Sequence, residues 1–172
     1  MAEQRAGAVV VASTRAARGL YADETGPLLV EGLRAMGLAV GDAVVVEDGD
    51  AVGEALRAAL AAGADVVLTT GGTGLTPRDL TPEQTAPLLD RELPGLAEAL
   101  RARGRETGVP TSSLSRGLAG TAGRALVVNL PGSPGGCRDG LAVLAEVLPH
   151  ALDQVAGGDH DRAAATSGGP AA

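Results

Sequence analysis

The chain has 172 residues, a net charge of −7 and 45% hydrophobic residues, and Tyr21 is its only aromatic side chain besides two histidines. That length makes one domain, able to bury roughly two-thirds of its unfolded surface. The acidic balance speaks against a nucleic-acid or anionic-membrane surface, and the aromatic count leaves essentially no base-stacking platform. All 14 basic residues are arginine, which removes Schiff-base chemistry, a lysine general base and a P-loop lysine. The single cysteine, Cys137, excludes an intramolecular disulfide and a cysteine-rich metal site, and fits a reducing cytosol. The apolar run near the N-terminus is too short for a signal segment and nothing is long enough to span a bilayer, so a cytoplasmic protein is expected.

Ala6 to Ser13 is a continuous apolar run of the kind buried on both faces of a parallel sheet. A loop from Thr14 to Glu24 comes next, and then a helix starting near Thr25, with Leu29, Leu33 and Met36 on one face and Gly37 as its stop. Leu38 to Val46 reads as one strand, ending in the acidic loop Glu47-Asp48-Gly49-Asp50. Asp50 is expected to cap a helix striped by Val52, Leu56 and Leu60. Asp65 to Thr70 is an apolar strand running into Gly71-Gly72-Thr73-Gly74, then Pro77-Arg78-Asp79. Thr81-Pro82-Glu83-Gln84 has the form of a capping box. Pro87 and Pro94 divide the next stretch into a short helix and a second one, about 94–103, before a polar connection. Residues 115–121 read as a short strand turning at Gly123 into the strand Ala125 to Leu130, with antiparallel pairing plausible. A second loop, Pro131-Gly132-Ser133-Pro134, leads into a helix with Leu141, Leu144 and Leu148 on one face.

Strands alternating with helices predict a three-layer α/β/α sandwich with a mostly parallel central sheet, one domain over 1–158 and a disordered tail over 159–172. In such sheets ligands sit outside the carboxyl ends of the strands. Ser13 and Thr14, Asp48, the 71–79 loop and the 129–134 loop each come directly after a strand, so all four are expected on one edge. Backbone N–H groups of the two glycine-rich loops can face an anion, Thr73 adds a hydroxyl, and Arg78 adds a fork of donors for phosphate. Asp48 and Asp79 beside such loops suit magnesium-assisted phosphoryl or nucleotidyl transfer. His150 and His160 read as surface or helix-end residues, Cys137 as a buried or incidental thiol, Tyr21 as a packing residue and Glu47 as a solvated loop residue.

TTGGTG, with RDLTPEQT after it, then LSRGLAG and NLPGSPGG, resembles the Mog/MoaB family of molybdenum-cofactor biosynthesis proteins, whose pattern the gephyrin G domain shares. The resemblance runs from about Gly7 to Asp161. It implies a molybdopterin adenylyltransferase: magnesium-dependent transfer of AMP from ATP to molybdopterin with release of pyrophosphate, in a homo-oligomer, trimeric or hexameric, with a metal-insertion enzyme as a further partner. Carried over residue by residue, it assigns Gly71, Gly72, Thr73, Gly74 and Arg78 to ATP phosphates. Asp48 and Asp79 become the catalytic and magnesium-holding carboxylates. Ser13, Ser115, Arg116, Asn129, Pro131, Gly132 and Ser133 fall on the molybdopterin side. The family's first strand often ends in Ser-Asp or Ser-Asn, whereas this chain has Ser13-Thr14.

Two other readings stand beside this one. A non-catalytic molybdopterin-binding or scaffold protein of the MoaB branch would keep the fold without the reaction. A CinA-like nucleotide hydrolase would turn over ATP without molybdopterin, and the RDLTP sequence disfavours it.

Overall fold

The computed structural model describes residues 4–157. Among them seven strands form one mixed sheet, mostly parallel: β1 (Ala6–Ala12), β2 (Ala39–Val40), β3 (Val44–Val46), β4 (Val66–Thr70), β5 (Arg91–Glu92), β6 (Ala119–Ala122) and β7 (Ala125–Leu130). The order across the sheet is β2-β1-β4-β7-β6-β5, with β3 also on β1. The neighbours of β1 and the β4–β7 pair are parallel, while β6 pairs antiparallel with both β7 and β5. The helices are α1 (Thr14–Ala17), α2 (Thr25–Ala35), α3 (Asp50–Ala61), α4 (Thr81–Thr85), α5 (Pro94–Glu106) and α6 (Pro134–Val155). The tail expected over 159–172 lies outside the described residues.

Strand alternation divides the core into two layers. Val9, Val11, Leu68 and Val128 face Leu29 and Leu33 of α2 and Leu144 and Leu148 of α6. Val10, Ala12, Val67 and Val127 face Val52 and Leu56 of α3 on the other side. Both faces of the central strands are therefore apolar, which is why β1, β4 and β7 read as unbroken hydrophobic runs.

Five local expectations are corrected. The strand expected over 38–46 is two short pieces on the same edge of β1, since β2 pairs with residues 6–7 and β3 with residues 10–12. Between them Arg34 donates through Nε to the Val40 carbonyl at 3.0 Å, where strand pairing is interrupted. The 14–24 loop contains the one-turn helix α1, capped by the Ser13 hydroxyl. Asp50 is not a cap: Gly49, at φ 96°, precedes the helix, and the Asp50 carboxylate accepts from Gln84 at 3.0 Å. That contact also takes Gln84 out of a capping box, and the Thr81 hydroxyl is engaged elsewhere. Helix α5 runs to Glu106, beyond the expected end, and a 3-10 segment, Pro110–Leu114, comes after it.

Candidate active site

Because β1, β3, β4 and β7 run parallel, the loops after them meet at one edge, and hydrogen bonds tie them together. Ser13 N–H donates to the Val46 carbonyl at 2.9 Å and Gly71 N–H to the Leu130 carbonyl at 3.1 Å. The Thr70 hydroxyl reaches the Pro131 carbonyl at 2.9 Å. Gly71 has φ 92°, and a Cβ there would stand 2.3 Å from the Ala12 carbonyl oxygen. A Cβ on Gly72, at φ 66°, would stand 2.3 Å from the Thr81 hydroxyl. Only glycine lets β4 turn this close to its neighbours. Thr81 then clamps the turn from below, its hydroxyl on the Gly71 carbonyl at 2.9 Å and its N–H on the Gly72 carbonyl at 3.0 Å.

Two cavities open on either side of this turn, and Gly71, Gly72, Asp79 and Gly132 line both. The first, about 590 Å³, takes in Thr73, Gly74, Ser115, Asn129, Pro131 and Ser133, with apolar walls from Leu75, Leu100, Val109 and Leu114. The second, about 610 Å³, takes in Ser13, Thr14, Tyr21, Asp48 and Arg78. The glycine loop therefore does not face one cavity as a unit. Thr73 and Gly74 look to the first and Arg78 to the second. Ser13, expected beside Asn129, lies in the second cavity with Asp48.

The carboxylates of the second cavity are held in place. Asp48 Oδ2 accepts from the Thr14 hydroxyl at 2.7 Å and from Thr14 N–H at 3.0 Å. Oδ1 points toward Gly72, 3.5 Å from where a Cβ would be. Asp79 Oδ2 accepts from Thr76 N–H at 2.8 Å, closing a tight turn. Among the described residues no group of three or more histidine, cysteine or acidic side chains could hold a metal ion. A pair of carboxylates fits magnesium, which is ordinarily held by one or two carboxylates together with substrate phosphates.

Several residues expected to touch ligand are engaged within the protein. Arg116 lines neither cavity. Its Nε donates to the Gly74 carbonyl at 2.8 Å, its second terminal nitrogen to the Asp79 carbonyl at 2.5 Å, and its first to Glu83. Its backbone N–H reaches the Thr73 carbonyl at 2.9 Å. Arg116 is thus a clasp over the loop that carries Asp79. Its hydrogen bond holds the Glu83 carboxyl below the usual carboxylate range, and Glu83 raises the arginine in return. Asn129, 3% exposed, donates both amide hydrogens, to the Thr69 and Thr85 hydroxyls at 3.0 Å each, and accepts from Leu118 N–H. The Ser133 hydroxyl caps α6 by accepting from Gly136 N–H at 3.1 Å, which aims the positive end of that helix at the first cavity.

Tyr21 is not a packing residue. It is 47% exposed, its hydroxyl is 2.9 Å from the Ser13 hydroxyl, and the Arg15 guanidinium lies 5.2 Å from its ring centroid. Cys137 is buried and burial pushes its thiol up, against a smaller opposing effect of the Thr70 hydroxyl. Glu47 is ion-paired with Arg18 at 2.9 Å, and that hydrogen bond lowers its pKa. His160 lies outside the described residues. Sequence reasoning named Thr14, Thr81, Glu83 and Arg116 but not their partners, Asp48, Gly71 and one another, which are 10 to 34 residues away. A hydroxyl at the end of a strand facing a strand-end carboxylate was the one available hint.

The family model described as "Probable molybdopterin binding domain" matches residues 8–150. The chain belongs to this family. It is 39% identical over 148 residues to a protein of Pyrococcus furiosus named molybdopterin adenylyltransferase, covering 84% of this chain and 87% of that protein. A Synechococcus elongatus protein named molybdenum cofactor biosynthesis bifunctional protein is 40% identical over 153 residues. This match covers 88% of the chain but 48% of that relative, so the chain spans about half the length of the bifunctional relative. The solved structure of the molybdopterin biosynthesis Mog protein from Mycobacterium ulcerans superposes with a TM-score of 0.83 at 55% identity, covering 88% of this chain and 99% of that one. The α/β sandwich and its mostly parallel sheet are the fold of these proteins. No helix among the described residues is long and apolar enough to cross a membrane.

Proposed function

We propose that this chain acts in molybdenum-cofactor biosynthesis as a molybdopterin adenylyltransferase, moving AMP from ATP to the terminal phosphate of molybdopterin. The observation that carries the reading is the sharing of one glycine turn and Asp79 by two cavities of opposite character. The first, with aliphatic walls and the N-terminus of α6, suits a flat heterocycle bearing a phosphate. The second, with Asp48, Asp79 and Arg78, suits a triphosphate. Their common boundary at Gly71, Gly72 and Gly132 is where the two phosphates would meet. The named activity of the Pyrococcus relative, aligned over most of both chains, supports the same reaction.

In this reaction an oxygen of the molybdopterin phosphate attacks the α-phosphorus of ATP. A new P–O bond forms as the bond to the β-phosphate bridging oxygen breaks, and pyrophosphate leaves with that electron pair. Backbone N–H groups of the turn orient the phosphates, Arg78 offers donors to the leaving end, and Arg116 fixes the loop from outside. Positioning and charge stabilisation are most of what such a step requires. Asp48 and Asp79 would hold magnesium, which when bound neutralises phosphate charge. The reading includes a cytoplasmic homo-oligomer of the trimeric or hexameric kind and a metal-insertion enzyme that takes the product.

The test is product identification by mass spectrometry after incubating the protein with molybdopterin, ATP and magnesium. Adenylylated molybdopterin with stoichiometric pyrophosphate is expected. Tight pterin binding without that product would instead establish the non-catalytic scaffold. ATP breakdown without molybdopterin would establish a hydrolase.

A further inference from the structure

We infer that Tyr21, with Arg15 beside its ring, is the nucleobase platform of the second cavity. The inference rests on ATP being the co-substrate and says which side chain its base stacks on.

Asp48, Asp79, Arg78 and the glycine turn line the cavity and are the groups that phosphate and a divalent cation need. Tyr21 and Arg15 line the same cavity, with Ala22 and Pro134, and Tyr21 gives it an aromatic face. A volume of about 610 Å³ is within the range of small-ligand sites, which run from roughly 300 to 1,000 Å³.

Tyr21 is the chain's only Tyr, and there is no Trp or Phe. A side chain kept for packing would be buried, yet this one is 47% exposed on a ligand-sized cavity. It is also pre-positioned. The hydroxyl is tied to Ser13 at 2.9 Å, and Ser13 itself caps α1 by accepting from Ala16 N–H at 3.2 Å. Arg15, on that same helical turn, stands 5.2 Å from the ring centroid. A ring held at its tip and in contact with a cation loses little freedom when a base stacks on it. Stacking on an aromatic ring needs no hydrogen-bond readout, so the platform suits a purine base in general.

The composition supplies its own probe. With no Trp and one Tyr, intrinsic fluorescence reports on Tyr21 alone. The experiment titrates wild type, Tyr21→Ala and Tyr21→Phe with ATP and, separately, with inorganic tripolyphosphate, both with magnesium. Binding is measured by calorimetry, and in the wild type also by fluorescence. ATP should quench the wild-type signal and tripolyphosphate should not. Tyr21→Ala should weaken ATP roughly tenfold and leave tripolyphosphate unchanged, and Tyr21→Phe should keep most of the ATP affinity. Equal ATP affinity in Tyr21→Ala and wild type would overturn the inference while leaving the adenylyltransferase reading intact. Equal weakening of both ligands would also overturn it, because Tyr21 would then act only through Ser13 and the loop. A wild type that binds tripolyphosphate and ATP equally and shows no quenching would overturn the platform alone. A wild type that binds no ATP at all would overturn both.

Discussion

The hydroxyl of Thr14 donates to Asp48 Oδ2 at 2.7 Å and accepts from the Asp48 backbone N–H at 3.1 Å. With Thr14 N–H also on Oδ2 at 3.0 Å, the residue after β1 fixes both the loop after β3 and the direction of its carboxylate. The resemblance leads one to expect a carboxylate or amide at position 14. In this chain that place holds a group that orients Asp48 instead.

Thr14→Val should therefore lower the rate of adenylyl transfer by roughly tenfold or more, since a hydrogen bond to a charged group is worth about 1.5–3 kcal/mol. Thr14→Ser should recover most of the rate. Turnover of the two variants beside their melting temperatures checks this. A wild-type rate in Thr14→Val, with a loss confined to Thr14→Ser, would mean that the methyl group, not the hydroxyl, is what matters.

Gly71→Ala should damage the site through the backbone. Its φ of 92° and the Ala12 carbonyl oxygen 2.3 Å from the new Cβ leave no room for relaxation without moving β1 or β4. A loss of about 2 kcal/mol or more is expected, read as a fall in denaturation midpoint, with ATP binding lost as well. Gly63, also at positive φ but with open space around its Cβ, is the comparison, and Gly63→Ala should cost less.

The Glu83–Arg116 pair should make part of the stability depend on pH in one direction. The folded Glu83 carboxyl lies below its ordinary value because Arg116 hydrogen-bonds its charged form. Its contribution is therefore complete above the unfolded-state value and is lost as pH falls through the folded one. Side-chain exposures of 35% and 48% limit it to less than about 1 kcal/mol. Glu83→Gln should be slightly less stable than wild type at pH 7, and the difference should vanish in acid. Adenylyl transfer should also fall in the variant, because the clasp over Asp79 loosens.

Cys137 should be inert in the folded protein. Burial raises its thiol, so little thiolate is present at pH 8, and access is blocked as well. Alkylation of native protein should proceed only at the rate of unfolding, and fast modification in native buffer would show that the α6 N-terminus opens readily.

The convergence of four strand-end loops was legible because parallel pairing alone dictates it, and β1, β4 and β7 announce that pairing by their unbroken apolar runs. Glycines 71 and 72 were legible as a turn for the same reason. What stayed hidden was how side chains are spent. Asn129 and Arg116 sit in motifs that suggest ligand contact, yet their donors close the sheet and the loop. Thr81 resembles a cap but clamps Gly71 instead. Tyr21 looked like packing because most aromatic residues are, and only the placement of the 14–24 segment exposes it to the cavity. The split of the second strand was equally hidden, since the Arg34 guanidinium that takes the Val40 carbonyl where pairing stops comes from the preceding helix.

The most direct measurement is single-turnover adenylyl transfer by Asp79→Asn, beside its thermal stability. Asparagine can still accept from Thr76 N–H, so the turn should survive and the melting temperature should change by only a few degrees. The account predicts a rate loss of roughly a hundredfold or more, with adenylyl-molybdopterin absent on the wild-type time scale. A variant that folds and transfers AMP at the wild-type rate would contradict it.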